Sequence, residues 1–144
     1  MSITIRDARA GDAEVIAELI RLLAAEWDET SEVTTDYVRA YLDRENVGAL
    51  LAELDGGVVG LLTYSLYPGL FHAGPWGLLD ELIVRPEARR RGVADALVSE
   101  AVRRFEAAGC KEVSVSTQLD NEPAKALYRK HGLTEESLFL EKHF

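Results

Sequence analysis

Leu82-Ile-Val-Arg85-Pro-Glu-Ala-Arg89-Arg-Arg-Gly92-Val-Ala-Asp-Ala-Leu97 reads as a strand, an arginine-rich turn and a glycine that opens an amphipathic helix. Pro86 ends the strand. Val93, Leu97, Ala101, Val102 and Phe105 share one face of the helix, which Gly109 closes. A helix N-terminus presents unpaired N–H groups and about half a positive charge, which together hold phosphate. Small residues at Gly92 and Ala94 let a bulky anion approach that backbone. Arg89, Arg90 and Arg91 add charge-assisted hydrogen bonds. The segment fits neither G-x-x-x-x-G-K-[ST] nor G-x-G-x-x-G, which disfavours a P-loop or a dinucleotide-binding fold.

Upstream, Ile3-Thr-Ile alternates as a first strand, and Asp12 can cap a helix whose buried stripe is Val15, Ile16, Leu19, Ile20 and Leu23. Glu26 to Thr30 break that stripe as a loop. A second helix starts at Thr34 or Thr35 and turns Val38, Tyr41 and Leu42 inward. Val47 to Leu54 and Val58 to Tyr67 are strands joined by Asp55-Gly56-Gly57, a hairpin signal. Pro68 to Pro75 read as a loop, and Gly77 to Val84 as the strand that leads into the decisive turn. Downstream, Glu112 to Ser116 alternate as a strand. Asn121 caps a helix with Pro123 in its first turn, running to Gly132, and Ser137 to Phe144 alternate as a final strand. The order predicts one domain spanning 1–144, of α/β type (α+β, mixed sheet), with an antiparallel start followed by βαβ crossovers.

A net charge of −9 argues against nucleic acid, whose phosphates reward a basic face. No apolar run approaches the ~20 residues that span a bilayer. The N-terminus lacks a signal-peptide design, so a cytoplasmic protein with no membrane partner is expected. A lone Cys110 forms no internal disulfide and reads as an inert thiol. The three histidines have no ligand-spaced company, so no metal site is expected.

Arg89-Arg-Arg-Gly92-Val-Ala94 resembles the Q/R-x-x-G-x-G/A signature of the GNAT superfamily of N-acetyltransferases, and the preceding Val84-Arg-Pro-Glu resembles its V-x-P-E. About thirty residues on, Asn121-Glu-Pro-Ala124-Lys-Ala-Leu-Tyr128-Arg-Lys-His-Gly132-Leu is similar to that family's N-x-x-A-x-x-x-Y-x-x-x-G-F segment. Leu79 to Val84 is somewhat similar to the equivalent strand of diamine acetyltransferases. Departures are mild: Arg90 stands where glycine is frequent, Ala94 replaces glycine and Leu133 replaces phenylalanine. The resemblance covers essentially the whole chain and implies a central mixed sheet flanked by about four helices.

The resemblance also implies an acetyl-CoA-dependent enzyme that acetylates a primary amine by direct attack. In it, the backbone of Leu82, Ile83 and Val84 pairs with the pantetheine arm. The amides from Arg90 through Arg91, Gly92, Val93, Ala94 and Asp95 cradle the pyrophosphate beside the Arg89 side chain. Asn121 is first a helix cap, with a CoA contact as a second role. Tyr128 stands where a phenol protonates the leaving thiolate; by packing alone it is a core tyrosine. Comparison with diamine acetyltransferases puts Asp80 at a proton-relay position and Glu81 beside it. Adjacent strand residues face opposite sides, so one carboxylate reaches the cleft unless a bulge turns both there. Trp27, Glu29, Tyr64 and Trp76 are candidates to line the acceptor pocket, with Glu26, Asp28 and His72, because aromatic faces and acids suit a cation. A small cationic amine is the favoured acceptor, with a protein N-terminus or lysine as the alternative and a non-catalytic acyl-CoA sensor as a further one. The alternating C-terminus points to a homodimer.

Overall fold

The structure, a computed structural model, describes residues 2–144. Strands β1 (Ile3–Asp7), β2 (Val47–Leu54), β3 (Gly57–Gly69), β4 (Gly74–Val84) and β5 (Glu112–Val115) form one mixed sheet in the order β1-β2-β3-β4-β5. The first four are antiparallel to their neighbours, and β5 joins β4 in parallel. Helices α1 (Ala13–Glu26) and α2 (Thr35–Leu42) precede β2; α3 (Val93–Ala107) crosses from β4 to β5; α4 (Glu122–Lys130) follows β5. This is the mixed sheet with four helices that the residue pattern predicts.

Period-two alternation splits the sheet's apolar residues into two cores. Leu50, Ala52, Leu54, Leu62 and Leu79 pack under α3 and α4, with Leu97, Phe105 and Tyr128. Ala49, Leu51, Leu61 and Ile83 pack under α1 and α2, with Ile16, Leu19 and Val38. Local chemistry sets the ends. Asp55 and Gly56 both hold positive φ, 53° and 84°, the geometry of a two-residue hairpin turn. Thr34 caps α2 by accepting from Tyr37 N–H at 3.0 Å, and Asn121 caps α4 by accepting from Ala124 N–H at 3.2 Å. Asp12 precedes α1 without capping it; its carboxylate instead takes Arg6 and the Arg9 N–H.

Two expectations are corrected. The segment read as a loop from Pro68 to Pro75 is mostly hairpin: β3 runs to Gly69 and β4 starts at Gly74, leaving a four-residue tip that exposes Leu70 and Phe71. The prolines and glycines at its two ends mislead because the hairpin projects past β2, whose ladder with β3 stops at Ser65. Proline is tolerated where its absent N–H faces no neighbour. The C-terminal strand is also absent: Ser137 to Phe144 joins no ladder among the described residues. Its alternation supplies a surface to be covered, and the arm instead departs from α4, where Arg129 holds Glu136 at 2.9 Å.

Gly77 is required by packing. A Cβ there would lie 2.6 Å from the Phe105 ring, which Tyr64 holds edge-on at 5.2 Å between centroids. Gly77→Ala is expected to cost roughly 1–3 kcal/mol, the usual range for overpacking a filled core. Urea unfolding at 25 °C checks this, and a variant as stable as wild type contradicts it.

Candidate active site

The register between β3 and β4 runs Thr63 to Glu81 and then Tyr64 to Leu79, so Asp80 is an extra residue in β4. This bulge changes which way the side chains point. Leu79 faces the α3 core and Ile83 the α1–α2 core. Between them, Glu81 meets Thr63, while Asp80 accepts from Ser65 Oγ at 2.6 Å. Thr63 and Ser65 follow Leu61 at alternate positions and share its face. Both carboxylates therefore point to the α1–α2 side, the arrangement that a strand without a bulge forbids.

The same slip opens an edge. β5 pairs with β4 only over Trp76–Leu79, so β4 beyond the bulge has no strand beside it there among the described residues. Arg85 N–H donates to Val59 O at 2.8 Å, which sets the phase. Ile83 turns its main-chain groups toward β3, and Leu82 and Val84 turn theirs to the open edge. Arg89 Nε donates to the Val84 carbonyl at 3.0 Å, as that phase requires.

Beside this edge lies a cleft of about 380 Å³. Leu82, Ile83 and Val84 form one wall, and Arg89, Arg90, Gly92, Val93, Ala94 and Asp95 the other. Gly92 sits at φ 83° ahead of α3, and a Cβ there would meet nothing within 4 Å. Ala96 N–H is bonded to Gly92 O, so the amides of Val93, Ala94 and Asp95 precede the helical ladder and are free for an anion. Arg90 adopts φ 63°, a left-handed conformation, which gives a physical reason for glycine being frequent there. Arg91 lies outside the lining. The Asp95 carboxylate bonds Lys130 at 2.9 Å and His131 at 2.8 Å, tying α4 to the first turn of α3; these bonds hold its pKa below the usual carboxylate range.

Glu26 is among the residues that line this cleft. It ends α1 and forms an ion pair with Arg89. Tyr128 is 8% exposed, lies outside the cleft lining and packs in the core that also holds Val84, Ala88 and Val93, three of the lining residues; burial pushes its phenol pKa up. Asn121 caps α4 and lies outside the cleft lining. Trp27 is 59% exposed just after α1, near Glu29. Trp76 stacks on Tyr67 at 5.1 Å, four residues and about 13 Å along β4 from Asp80 at ~3.3 Å per residue. Tyr64 is braced against Phe105 beside Gly48. Tyr64 faces the α3 side of the sheet and Trp76 the opposite side, so these four candidates are not gathered around one point.

Three residues of the acidic cluster escape a reading of the sequence. Thr63 and Ser65 hold the two carboxylates, and Tyr41, read only as a core residue, donates from its hydroxyl to Gly48 O at 3.2 Å beside them. Burial, then the charges of Glu81 and Asp80, push the Tyr41 phenol well above its ordinary pKa. Asp80 is raised by burial against the opposing Ser65 hydrogen bond. Glu81 is raised by burial, with Thr63 opposing and Asp80 adding to the rise. The signal was the pairing of Thr63-x-Ser65 with Asp80-Glu81, visible only once the register is known.

An open strand edge thus lies beside a helix N-terminus, which can hold an anionic group, with two acids close by on the strand. The model of the Acetyltransferase (GNAT) family matches residues 16–133, and the chain belongs to this family of acetyltransferases. It is 28% identical over 140 residues, 94% of its length, to the uncharacterized N-acetyltransferase YhfO of Bacillus subtilis (strain 168), of which the match covers 93%. It is 27% identical over 135 residues to the aminoglycoside N(6')-acetyltransferase type 1 of Stenotrophomonas maltophilia, covering 92% of this chain and 86% of that one. The fold matches an aminoglycoside acetyltransferase from an uncultured soil metagenomic sample, crystallised with sisomicin, at a TM-score of 0.83 and 21% identity over 99% of this chain and 95% of that one.

A carboxyl group whose folded-state pKa is raised favours folding fully below its ordinary value of 4.5, and that contribution is lost as pH rises through the folded-state value. Glu81→Gln keeps an oxygen for Thr63 to bond and removes the charge. It is expected to raise Tm modestly near pH 7.5, with the gain shrinking as pH falls toward 4. Thermal scans across that range check it, and an unchanged or lower Tm at pH 7.5 contradicts it.

Proposed function

We propose that this chain, acting as one catalytic domain, transfers the acetyl group of acetyl-CoA to a primary amine of a small cationic acceptor, with Tyr128 as general acid. The observation that carries this reading is the bulge at Asp80, which presents an open strand edge to a cofactor and two acids to an amine. The cleft suits acetyl-CoA: the main-chain groups of Leu82 and Val84 can pair with the pantetheine amides. The free amides of Val93, Ala94 and Asp95, with Arg89 and Arg90, match a pyrophosphate. A phosphate entering there competes with Glu26 for Arg89.

An alkylammonium with pKa ~10.4 is protonated at neutral pH and is no nucleophile. Asp80 or Glu81 takes its proton, a task suited to carboxylates raised toward the working pH. The neutral nitrogen then attacks the thioester carbonyl carbon, whose oxygen an N–H of the open β4 edge can polarise. A C–N bond forms and the C–S bond breaks. The Tyr128 phenol protonates the departing sulfur and regains a proton from solvent, while the nitrogen loses its second proton through the carboxylates. Burial keeps the phenol protonated until that moment. Orienting the two substrates supplies most of the acceleration.

Acidic residues at the acceptor face, the net charge of −9 and a relative that is an aminoglycoside acetyltransferase support the choice of a cationic amine. The exposed Leu138, Leu140 and Phe144 and the unpaired outer edge of β5 support a homodimer in which the C-terminal arm finds its cover on a second copy. Light scattering is expected to give twice the chain mass, and a monomer contradicts that assembly.

The reaction is tested by CoA thiol release from acetyl-CoA with pooled polyamines, amino acids, aminoglycosides and lysine-bearing peptides. Amine-dependent release is expected, strongest with polycationic small molecules. Tyr128→Phe is expected to lower kcat roughly ten-fold or more with little change in the KM for acetyl-CoA. An unaltered kcat removes Tyr128 from the role, and release with peptides alone favours a protein acceptor.

A further inference from the structure

Thr63 is the buried polar side chain of the described core, 3% exposed among leucines. Its neighbours of the same face are Leu61 and, across the ladder, Ile83, so valine would fill the position and keep the apolar surface continuous. A buried hydroxyl costs free energy unless it is fully hydrogen-bonded. In this fold it is bonded twice to Glu81 and also meets the Tyr41 hydroxyl. The hydroxyl donates to Glu81 Oε1, and its oxygen accepts from the Glu81 N–H at 3.0 Å. One side chain thus grips the main chain and the carboxylate of a residue that directly follows the bulge. The grip fixes the direction in which the carboxylate leaves the strand at the point where the register slips.

We propose that Thr63 is a positioning residue for acetyl transfer: it pins the Glu81 carboxylate at the bulge and holds it ready to receive the acceptor's proton. This deepens the function proposed above and rests on Glu81 acting as the relay. A hydroxyl that donates to a carboxylate stabilises its charged form. The other groups around Glu81 do not. Asp80 on the same strand is a like charge, held by Ser65. Tyr41 from α2 spends its hydrogen on Gly48 O, and burial with the two acid charges pushes its phenol pKa up. From α1, on the same side of the sheet, Glu18 and Glu26 are engaged by Arg85 and Arg89. Thr63 is therefore the group that opposes burial and Asp80 at this carboxylate.

The experiment is a carbon-13 NMR titration of the Glu81 carboxyl in the whole protein, assigned by its loss in Glu81→Gln, beside the pH dependence of kcat/KM for the acceptor. Thr63→Val keeps the shape and removes the hydroxyl. It is expected to move the Glu81 midpoint upward by about one pH unit, the size of shift that one lost charge-assisted hydrogen bond produces. The acid limb of kcat/KM moves with it, while the KM for acetyl-CoA stays put. Thr63→Ser restores both. If the valine variant does not accumulate as folded protein, Thr63→Cys, a weaker donor, is expected to shift both readouts part of the way. An unmoved Glu81 midpoint in the valine or cysteine variant overturns the proposal and leaves Thr63 a packing residue. A midpoint that moves while the acid limb does not shows that Glu81 is not the relay, which removes the positioning role of Thr63 without touching the assignment of the fold's cofactor edge.

Discussion

One extra residue in β4, Asp80, governs the site. Without it, β4 would continue straight, its edge would stay available to β5 along its whole length, and Asp80 and Glu81 would point to opposite faces. The slip ends the β4–β5 ladder at Leu79 and Val115. The edge so released lies beside the N-terminus of α3, because only the short turn from Arg85 to Gly92 separates that helix from the end of β4. The irregularity thus leaves, among the described residues, a strand edge with no strand beside it and a pair of acids on one face, next to a helix end whose first amides precede the ladder. Each is costly in isolation.

The surrounding residues limit that cost without cancelling it. Thr63 and Ser65 each give one hydrogen bond to an acid, yet burial still leaves both carboxyl groups raised. On the other side, Arg89 has a carbonyl and a carboxylate to hold, Val84 O and Glu26. Its charge is therefore compensated before any phosphate arrives. Because that pair is partly exposed, its exchange for a phosphate is a small change in free energy. Phosphate brings more charge than Glu26 and engages the neighbouring amides besides. On the function proposed above, a phosphate entering this cleft would substitute one anion for another rather than fill an empty charge.

Much of this was legible in the chain. Pattern and caps place all five strands and four helices, since Thr34, Asn121, Asp55-Gly56 and Pro86 act locally and their effects do not depend on distant partners. The cleft's second wall was legible for the same reason: an arginine turn, Gly92 and a helix start are contiguous in sequence. What failed depended on partners. Pro68 to Pro75 look like a loop until the hairpin is known to overhang β2. Ser137 to Phe144 look like a strand, but alternation says which side would be covered and not by what. The shared facing of Asp80 and Glu81 needed the register of β3 against β4, a pairing of residues some eighteen positions apart. Tyr41 read correctly as an inward residue; that its inner end meets acids follows from where α2 lands on the sheet.

On the proposed function, one strand separates the groups that hold the donor from those that meet the amine. The donor wall is backbone: strand edge, helix amides and a glycine. These groups are the same whatever side chains surround them, so a donor common to many reactions can be held by a common shape. The proposed acceptor wall is side chain: Tyr41, Thr63, Ser65, Asp80 and Glu81. Substitution there changes charge and depth without disturbing the bulge, because the hydrogen bond to the Glu81 N–H needs only a hydroxyl at position 63. In the proposed reaction, separating the donor's backbone contacts from the acceptor's side-chain contacts would let specificity vary while the strand irregularity stays fixed.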